Sequence, residues 1–384
     1  MTYDGNCRLG DLFESRREKG RSGLPLMSVT MNDGLVARED LERRQDTTLA
    51  PEDHLLVKSG DIAYNMMRMW QGAFGLADRE GLVSPAYVVV KPKPGIDPVY
   101  ATYLLRTSRM RYLLWAYSYG LTDDRLRLYF ADFARVPATV HSYAEQATIA
   151  SILTTGDDLI SAQTNLLENT KSAREGVLNR LLKPRTKEQR ARWKEFELGD
   201  VAVRVRAQFD PTSAREQEWC IELEHIETRT GQLVGSTTTS SISSTKILFQ
   251  PCDVLFGKLR PYLRKYWLAA RGGVCSSEFW VLRPEATLCT PAFLSCLLQS
   301  EQVMRAVAAS SGSKMPRAEW DHVERTVVRL PPLPVQARVT SKLEPFDRHI
   351  RKLGDYIVAL RKEQRHLLLS LFAIKPVKVP RSGT

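Results

Sequence analysis

The chain has few cysteines and none of them paired. Cys7, Cys220, Cys252, Cys275, Cys289 and Cys296 form no C-x-x-C, and the histidines do not cluster near them. That pattern excludes a zinc ribbon and a disulfide framework, and leaves buried reduced thiols; no metal is expected. No stretch approaches the roughly 20 apolar residues of a membrane helix, so no membrane partner is expected. The opening MTYDGNCRLGDLF lacks the basic-then-apolar pattern of a secretory leader, which predicts a cytoplasmic location. The phosphate-cradling run G-x-x-x-x-G-K-[ST] is also missing, which excludes a P-loop nucleotide site.

What is present is globular in composition, with 43% hydrophobic and 26% charged residues in 384. That length accommodates two or three domains, each with its own core. The formal net charge is +11 and the pI about 9.4. A basic excess suits a polyanionic partner, because Lys and Arg gain by releasing condensed counterions from nucleic acid. A solvated basic surface accounts for the charge equally well.

The chain repeats itself. DIAYNMMRMWQGAFGLADREGLVSPAYVVVKP (Asp61–Pro92) aligns without a gap on DVLFGKLRPYLRKYWLAARGGVCSSEFWVLRP (Asp253–Pro284), 192 residues later. Identities include Arg68/Arg260, Leu76/Leu268, Arg79/Arg271, Gly81/Gly273 and Ser84/Ser276, with aromatic character kept at Tyr64/Phe256 and Tyr87/Phe279. RLGDLF (Arg8–Phe13) parallels ELGDVA (Glu197–Ala202). Asp97-Pro98 and Thr290-Pro291 each open an amphipathic stretch, with Asp or Thr as N-cap and Pro at the first helical position. Gly120 then matches Gly312, and Arg125 matches Arg317. YVVVKP and FWVLRP read as buried strands. Each half therefore holds a mixed α and β unit of about 140 residues, and a period near 190 is too long for a solenoid.

A different pattern follows each unit. Val339, Phe346, Leu353, Leu360 and Leu367 recur every seven residues, and Leu343, Ile350, Ile357, Gln364 and Leu371 form a second row four residues on. These are the two rows of a heptad seam with one polar break at Gln364. The central segment keeps one row, Leu153, Ile160, Leu167, Arg174 and Leu181. Its other row, Ile149, Gly156, Gln163, Thr170 and Val177, is more polar, and Gly156 weakens its first turns. Both helices are expected to stop before a proline, at Lys183-Pro184 and Lys375-Pro376. Antiparallel pairing within one chain predicts a pseudo-twofold molecule with one unit at each end; a coiled-coil dimer between chains is the alternative. Helices of roughly 35–40 residues span about 55 Å, more than one turn of B-DNA. The expected parts are a first unit over 1–143, a central helix over 144–186, a second unit over 187–334, a C-terminal helix over 335–376 and a tail over 377–384.

This order of parts resembles the specificity subunits of type I restriction–modification systems. The resemblance covers nearly the whole chain. It rests also on SGSKMPRAEWDHVERTVVRLPPLPVQARV (Ser311–Val339), which is similar to that family's link from recognition domain to conserved helix. The first half carries a degraded form that keeps Pro137, Glu145 and Gln146 but lacks the double proline of Pro331-Pro332. The resemblance implies an α+β chain of two target recognition domains, each reading one half of a bipartite sequence in double-stranded DNA. It implies that the helix pair sets the spacer and docks two methyltransferase subunits and, through them, restriction subunits. It further implies no chemistry and no cofactor on this chain, S-adenosylmethionine being held by the methyltransferase. Two unequal copies then follow naturally: shared positions shape the fold, while the others read different bases at about 1–3 kcal/mol per bidentate contact.

Candidate DNA contacts are Arg68 and Arg260 after a predicted strand, with Lys258 and Arg264 beside the second, and Arg125, Lys314 and Arg317 on loops after the amphipathic stretch. Guanidinium suits phosphate or guanine, and an ion pair organising the fold is the other reading of each. Weaker candidates are Arg38, Arg43, Arg44, Arg204, Arg206 and the loop GSTTTSSISSTK (Gly235–Lys246), which suits a mobile solvent loop as well. Trp115 and Met304 are expected in the core. A free-standing adenine methyltransferase would need a glycine-rich cofactor motif and [DNS]-P-P-[YF], and neither occurs; no paired acidic nuclease core is evident either. A coiled-coil scaffold with incidental charge is disfavoured by the duplicated domains. A related system whose partner fuses restriction and methylation remains a close rival.

Overall fold

A computed structural model describes residues 5–31, 33–41, 48–122, 125–212, 219–240, 242–312 and 315–373. The chain divides into two compact units, residues 1–160 with 359–384, and residues 161–358, so that the division falls inside both long helices.

The first unit contains β1 (Gly5–Arg8), α1 (Leu9–Leu12), β2 (Phe13–Arg16), β3 (Met27–Val29), β4 (Leu35–Ala37), β5 (Leu55–Val57), β6 (Ile62–Asn65), β7 (Phe74–Leu76), β8 (Gly81–Val83), β9 (Tyr87–Pro92), α2 (Pro98–Arg106), α3 (Ser108–Ala116), α4 (Phe130–Phe133), β10 (Pro137–Val140) and the start of α5 (Tyr143–Leu181). The second continues with α6 (Lys187–Arg192), β11 (Lys194–Glu197), α7 (Leu198–Val201), β12 (Ala202–Val205), β13 (Gln208–Phe209), β14 (Cys220–Ile221), β15 (Lys246–Phe249), β16 (Val254–Gly257), β17 (Tyr266–Leu268), β18 (Gly273–Ser276), β19 (Phe279–Pro284), α8 (Pro291–Leu298), α9 (Glu301–Ala309), α10 (Trp320–Val323), β20 (Val327–Leu330), α11 (Leu333–Ser341) and α12 (Glu344–Leu371).

The repeat is a repeat of topology. Antiparallel sheets of order β2-β9-β6-β7 and β12-β19-β16-β17 correspond, as do the pairs β1-β10 and β11-β20. Register is the same: Ile62 faces Leu76 and Val90, and Val254 faces Leu268 and Leu282. The aromatic positions shared by the copies lie in the cores. Tyr64 stacks on Phe133 at 5.4 Å, and Phe256 on Trp280 at 5.5 Å. Asp61 and Asp253 are both buried, and each accepts from a backbone N–H three residues earlier (Lys58 and Gln250). Their guanidinium partners come from different strands, Arg16 of β2 and Arg283 of β19. The requirement preserved is a countercharge for a buried carboxylate, whichever strand supplies it.

Each amphipathic stretch is two helices where one was expected. Asp97 and Thr290 cap α2 and α8 as the sequence predicts, but Thr107 and Ser300 turn extended and cap α3 and α9. On α3 the buried face is Met110 and Leu114; Trp115, next in line, falls off that stripe and is exposed, contrary to expectation. Met304 is buried. Burial raises the thiols of Cys220 and Cys296 to about 11 and that of Cys289 to about 12, whereas Cys252 is exposed. No helix among the described residues is long and apolar enough to cross a membrane.

α5 is one helix of 39 residues, but the C-terminal segment is broken into α11 and α12 at Lys342-Leu343. Pro345 explains the break, since it has no N–H to donate and its ring clashes with a carbonyl four residues back. In the second unit α5 and α12 run antiparallel: Leu178 packs with Leu343, Arg174 meets Asp347, and Leu167 packs with Ile350, Leu353 and Ile357. In the first, Leu153 packs in the core with Leu367, Leu368 and Leu371. Ile160 and Leu360 are half-buried. Leu181 packs both on the Leu178–Leu343 cluster and against the core of the second unit. The second buried row of α5 differs from the expected one: Ile149 begins it, but Lys171 and Leu178 lie where Thr170 and Val177 were expected. A helix of 3.6 residues per turn drifts about 20° per heptad, which carries the stripe one residue along.

Gly156 and Gln364, two apparent weaknesses, meet each other. A Cβ on Gly156 would lie 2.1 Å from the Gln364 Oε1. The missing side chain admits Gln364, whose Nε2 donates to the Leu153 carbonyl at 2.7 Å and to Asp157 Oδ1 at 2.9 Å. Asp157 also accepts from the Tyr103 hydroxyl at 2.8 Å, joining α2, α5 and α12. Gln364→Ala is expected to cost about 1–2 kcal/mol in the native background. In a Gly156→Ala background, where the amide is already displaced, it is expected to cost far less. Equal costs in the two backgrounds, read by denaturant titration, would show that the pair is uncoupled.

Candidate nucleic-acid interface

In the second unit, β16 runs directly into Lys258, and its continuation is held against the loop before α10. Lys258 N donates to the Glu278 carbonyl, Ala318 N to the Lys258 carbonyl (both 2.9 Å), and Arg260 N to the Pro316 carbonyl at 2.7 Å. Three sequence candidates, Lys258, Arg260 and Arg317, thus share one edge. Arg260 has φ +49°, opens a short 3₁₀ turn and is exposed, with no side-chain partner among the described residues. Arg317 is clamped by Glu278 through Nε at 3.1 Å and an Nη at 2.8 Å. Arg204 and Arg206 of the adjoining β12 segment belong to the same electrostatic cluster.

The cluster is held at a cost. Burial lowers the pKa of Lys258, and Arg204 and Arg317 lower it further against the pull of Glu278. Burial likewise lowers that of Arg204, with Arg206 next. Glu278, Asp321 and Glu324 face the five cations Lys258, Arg260, Arg317, Arg204 and Arg206, so positive charge is in excess, the condition a row of phosphates relieves.

The first unit builds the same edge with other side chains. Arg68 opens a 3₁₀ turn after β6, is exposed, and has no side-chain partner among the described residues. Leu128 N donates to the Met66 carbonyl at 2.9 Å, as Ala318 does to Lys258. The counterpart of Arg317 is therefore Arg127, two residues beyond Arg125. The loop is two residues longer in the first copy, and aligning RLYFADF with RAEWDHV would have shown it. Arg125 is exposed close by. Large apolar groups stand out from both edges: Leu121 is 95% exposed, Met315 65% and Tyr262 63%. Beside Arg68 a cleft is lined by Ser28, Thr30, Asn65, Met67 and Tyr87.

Arg264 does not join this edge. It pairs with Glu175 of α5 at 2.9 Å, and Arg229 pairs with the same carboxylate at 3.0 Å. Both arginines have positive φ, and Arg229 N donates to the Arg264 carbonyl. This is the fold-organising alternative, an ionic tie between the globular part of the second unit and the long helix. Arg38 donates to Ser28 Oγ at 3.0 Å. Lys314, Arg43 and Arg44 lie outside the described residues. The Gly235–Lys246 loop is tethered: Thr237 exchanges backbone hydrogen bonds with Cys220, Thr239 is buried, and Lys246 pairs with Glu222.

Lys258→Met is expected to raise the melting temperature slightly, by removing a half-buried cation from a like-charged cluster, and to weaken binding to duplex DNA. A fall in both melting temperature and affinity would mark Lys258 as a structural residue.

No protein-family model matches the chain. The type I restriction enzyme EcoDI specificity subunit of Escherichia coli is 24% identical over 155 residues, 40% of this chain and 34% of that protein. The HindI specificity subunit of Haemophilus influenzae is 23% identical over 161 residues, 40% and 35% of the two chains. The matched stretch thus spans about a third of these curated relatives. In fold the likeness extends over nearly the whole chain. A chain from a structure on complex assembly and conformational transition of the type I R-M system matches with TM-score 0.58 and 14% identity over 97% of this chain and 98% of that one. The type I restriction–modification S subunit from M. genitalium matches with TM-score 0.50 and 14% identity over 97% and 96%. In sequence over part of its length, and in fold over nearly all of it, the chain is similar to type I restriction–modification specificity subunits.

Proposed function

We propose that this chain is the DNA-recognition subunit of a type I restriction–modification complex and carries no catalytic residues itself. The observation that carries the reading is the duplicated edge. One backbone arrangement, a strand running into a 3₁₀ turn beside a returning loop, displays Met66, Arg68 and Arg127 in one unit and Lys258, Arg260 and Arg317 in the other. Cations at shared positions suit the phosphate backbone, which is the same at every site. The differing neighbours suit base edges, which are not.

On this reading each unit reads one half of a split target in double-stranded DNA, and the antiparallel helices α5 and α12 hold the spacer between the halves. Two methyltransferase subunits dock on this chain and hold S-adenosylmethionine, which supplies the methyl group for adenine; restriction subunits join through them. The chain's own residues bind and orient the duplex. The ionic tie from Glu175 to Arg229 and Arg264 keeps the second recognition domain from swivelling on α5.

The test is a methylome of the host with the gene intact and deleted. Loss of adenine methylation at one bipartite motif, with all others retained, is expected and supplies the target sequence. An unchanged methylome, with the neighbouring methyltransferase expressed, would overturn the assignment. Arg260→Gln is expected to weaken binding to all duplexes about equally if Arg260 holds phosphate, and to relax one base position if it reads guanine.

A further inference from the structure

We infer that residues 183–194, between α5 and β11, form a second DNA-contacting element that grips phosphates without reading sequence. This inference rests on the proposed DNA-binding function and adds a site apart from the recognition edge.

The segment KPRTKEQRARWK carries six cations, Lys183, Arg185, Lys187, Arg190, Arg192 and Lys194, and one acid, Glu188. All six cations are exposed, and none has a carboxylate partner among the described residues. Some exposed arginines of this unit are paired, Arg305 with Glu301, Arg317 with Glu278 and Arg329 with Glu195, whereas among the described residues no cation along this segment is.

The segment is also ordered. Leu181 and Leu182 pack on the core at one end, and buried Trp193 and the β11–β20 ladder anchor the other. Between them α6 is closed by a capping box, in which Thr186 accepts from Gln189 N at 3.2 Å and Gln189 Oε1 accepts from Thr186 N at 3.3 Å. A helical turn fixed this firmly nevertheless begins with a lysine and sets Lys187 and Arg190 three apart on one face. Glu188 in the first turn and Arg190 and Arg192 in the last suit the helix dipole, but the like charges of Lys187 and Arg190 at that spacing repel, and a polyanion would relieve that repulsion.

The ligand is the phosphodiester backbone rather than an acidic protein. A protein interface takes its strength from aromatic or aliphatic anchors at a desolvated centre. Here the only large apolar side chain, Trp193, is already buried in the fold. Exposed cations alone suffice for phosphate, where the gain is counterion release. The sequence after the second long helix, AIKPVKVPRSGT, is likewise cationic and free of acid.

The test compares the full chain with a Lys187→Gln/Arg190→Gln/Arg192→Gln variant, titrated by fluorescence anisotropy against a duplex carrying the target and an unrelated duplex of equal length, over a range of salt. Affinity for both duplexes is expected to fall, roughly tenfold or more at low salt, with the ratio between them unchanged. The slope of log K against log salt is expected to become shallower by about 2–3, near 0.9 per lost phosphate contact. A variant that melts like the native chain and keeps its slope would overturn the element alone, as would loss of methyltransferase co-purification with the slope unchanged. A native chain that binds neither duplex, alone or with its methyltransferase, would overturn the DNA-recognition reading as well.

Discussion

A fully buried glutamine in each unit decides where the long helical segment begins, and most of the architecture follows from that. Gln146 accepts from Asp97 N at 2.9 Å and donates to the carbonyls of Gly95 and His141. Gln336 accepts from Thr290 N at 2.9 Å and donates to those of Leu288 and Pro331. Each amide thus satisfies three backbone groups that secondary structure leaves over, at the point where the helix leaves the globular unit. Unmade, those bonds would each expose a desolvation cost of about 1–3 kcal/mol. The glutamine also fixes the rotation of the helix, because the first turn must present it inward.

From that starting angle the two units diverge in how they fasten the helix pair. In the first the joint is Gln364 set into the gap at Gly156 and tied to Asp157. In the second it is a buried guanidinium: Arg174 reaches Asp347 on α12 and Gln299 beyond α8, the latter at 2.7 Å. A polar group in an apolar seam costs stability relative to leucine but permits one alignment only, since any slip leaves it without partners. If the helices act as the proposed spacer, alignment matters more than the last increment of stability.

Charge follows a different logic. The buried carboxylates Asp61 and Asp253 are matched with arginine in both units, so the interior is balanced. At the edges that carry Arg68 and Arg260 and along residues 183–194, exposed cations have no carboxylate partner among the described residues. On the proposed reading a polyanion removes their repulsion, and the basic composition serves as a binding surface.

The sequence by itself determined the duplication, the strands at YVVVKP and FWVLRP, the N-caps at Asp97 and Thr290, and the heptad rows of α12. All of these are local or periodic, and each side chain signals its environment through spacing alone. It also carries a resemblance to a known family. Tertiary structure alone decided the rest. Arg68, Lys258, Arg260, Arg264 and Arg317 look alike in sequence, yet Glu175, 89 residues before Arg264, draws that one arginine onto α5. Gly156 and Gln364 read as two flaws 208 residues apart, and become one joint only when α12 lies against α5. The two-residue loop difference that moves the counterpart of Arg317 to Arg127 shows in the backbone hydrogen bonds, because sequence identity at a fixed offset does not see insertions. In each case the deciding partner is distant in the chain, and no periodicity encodes a contact made once.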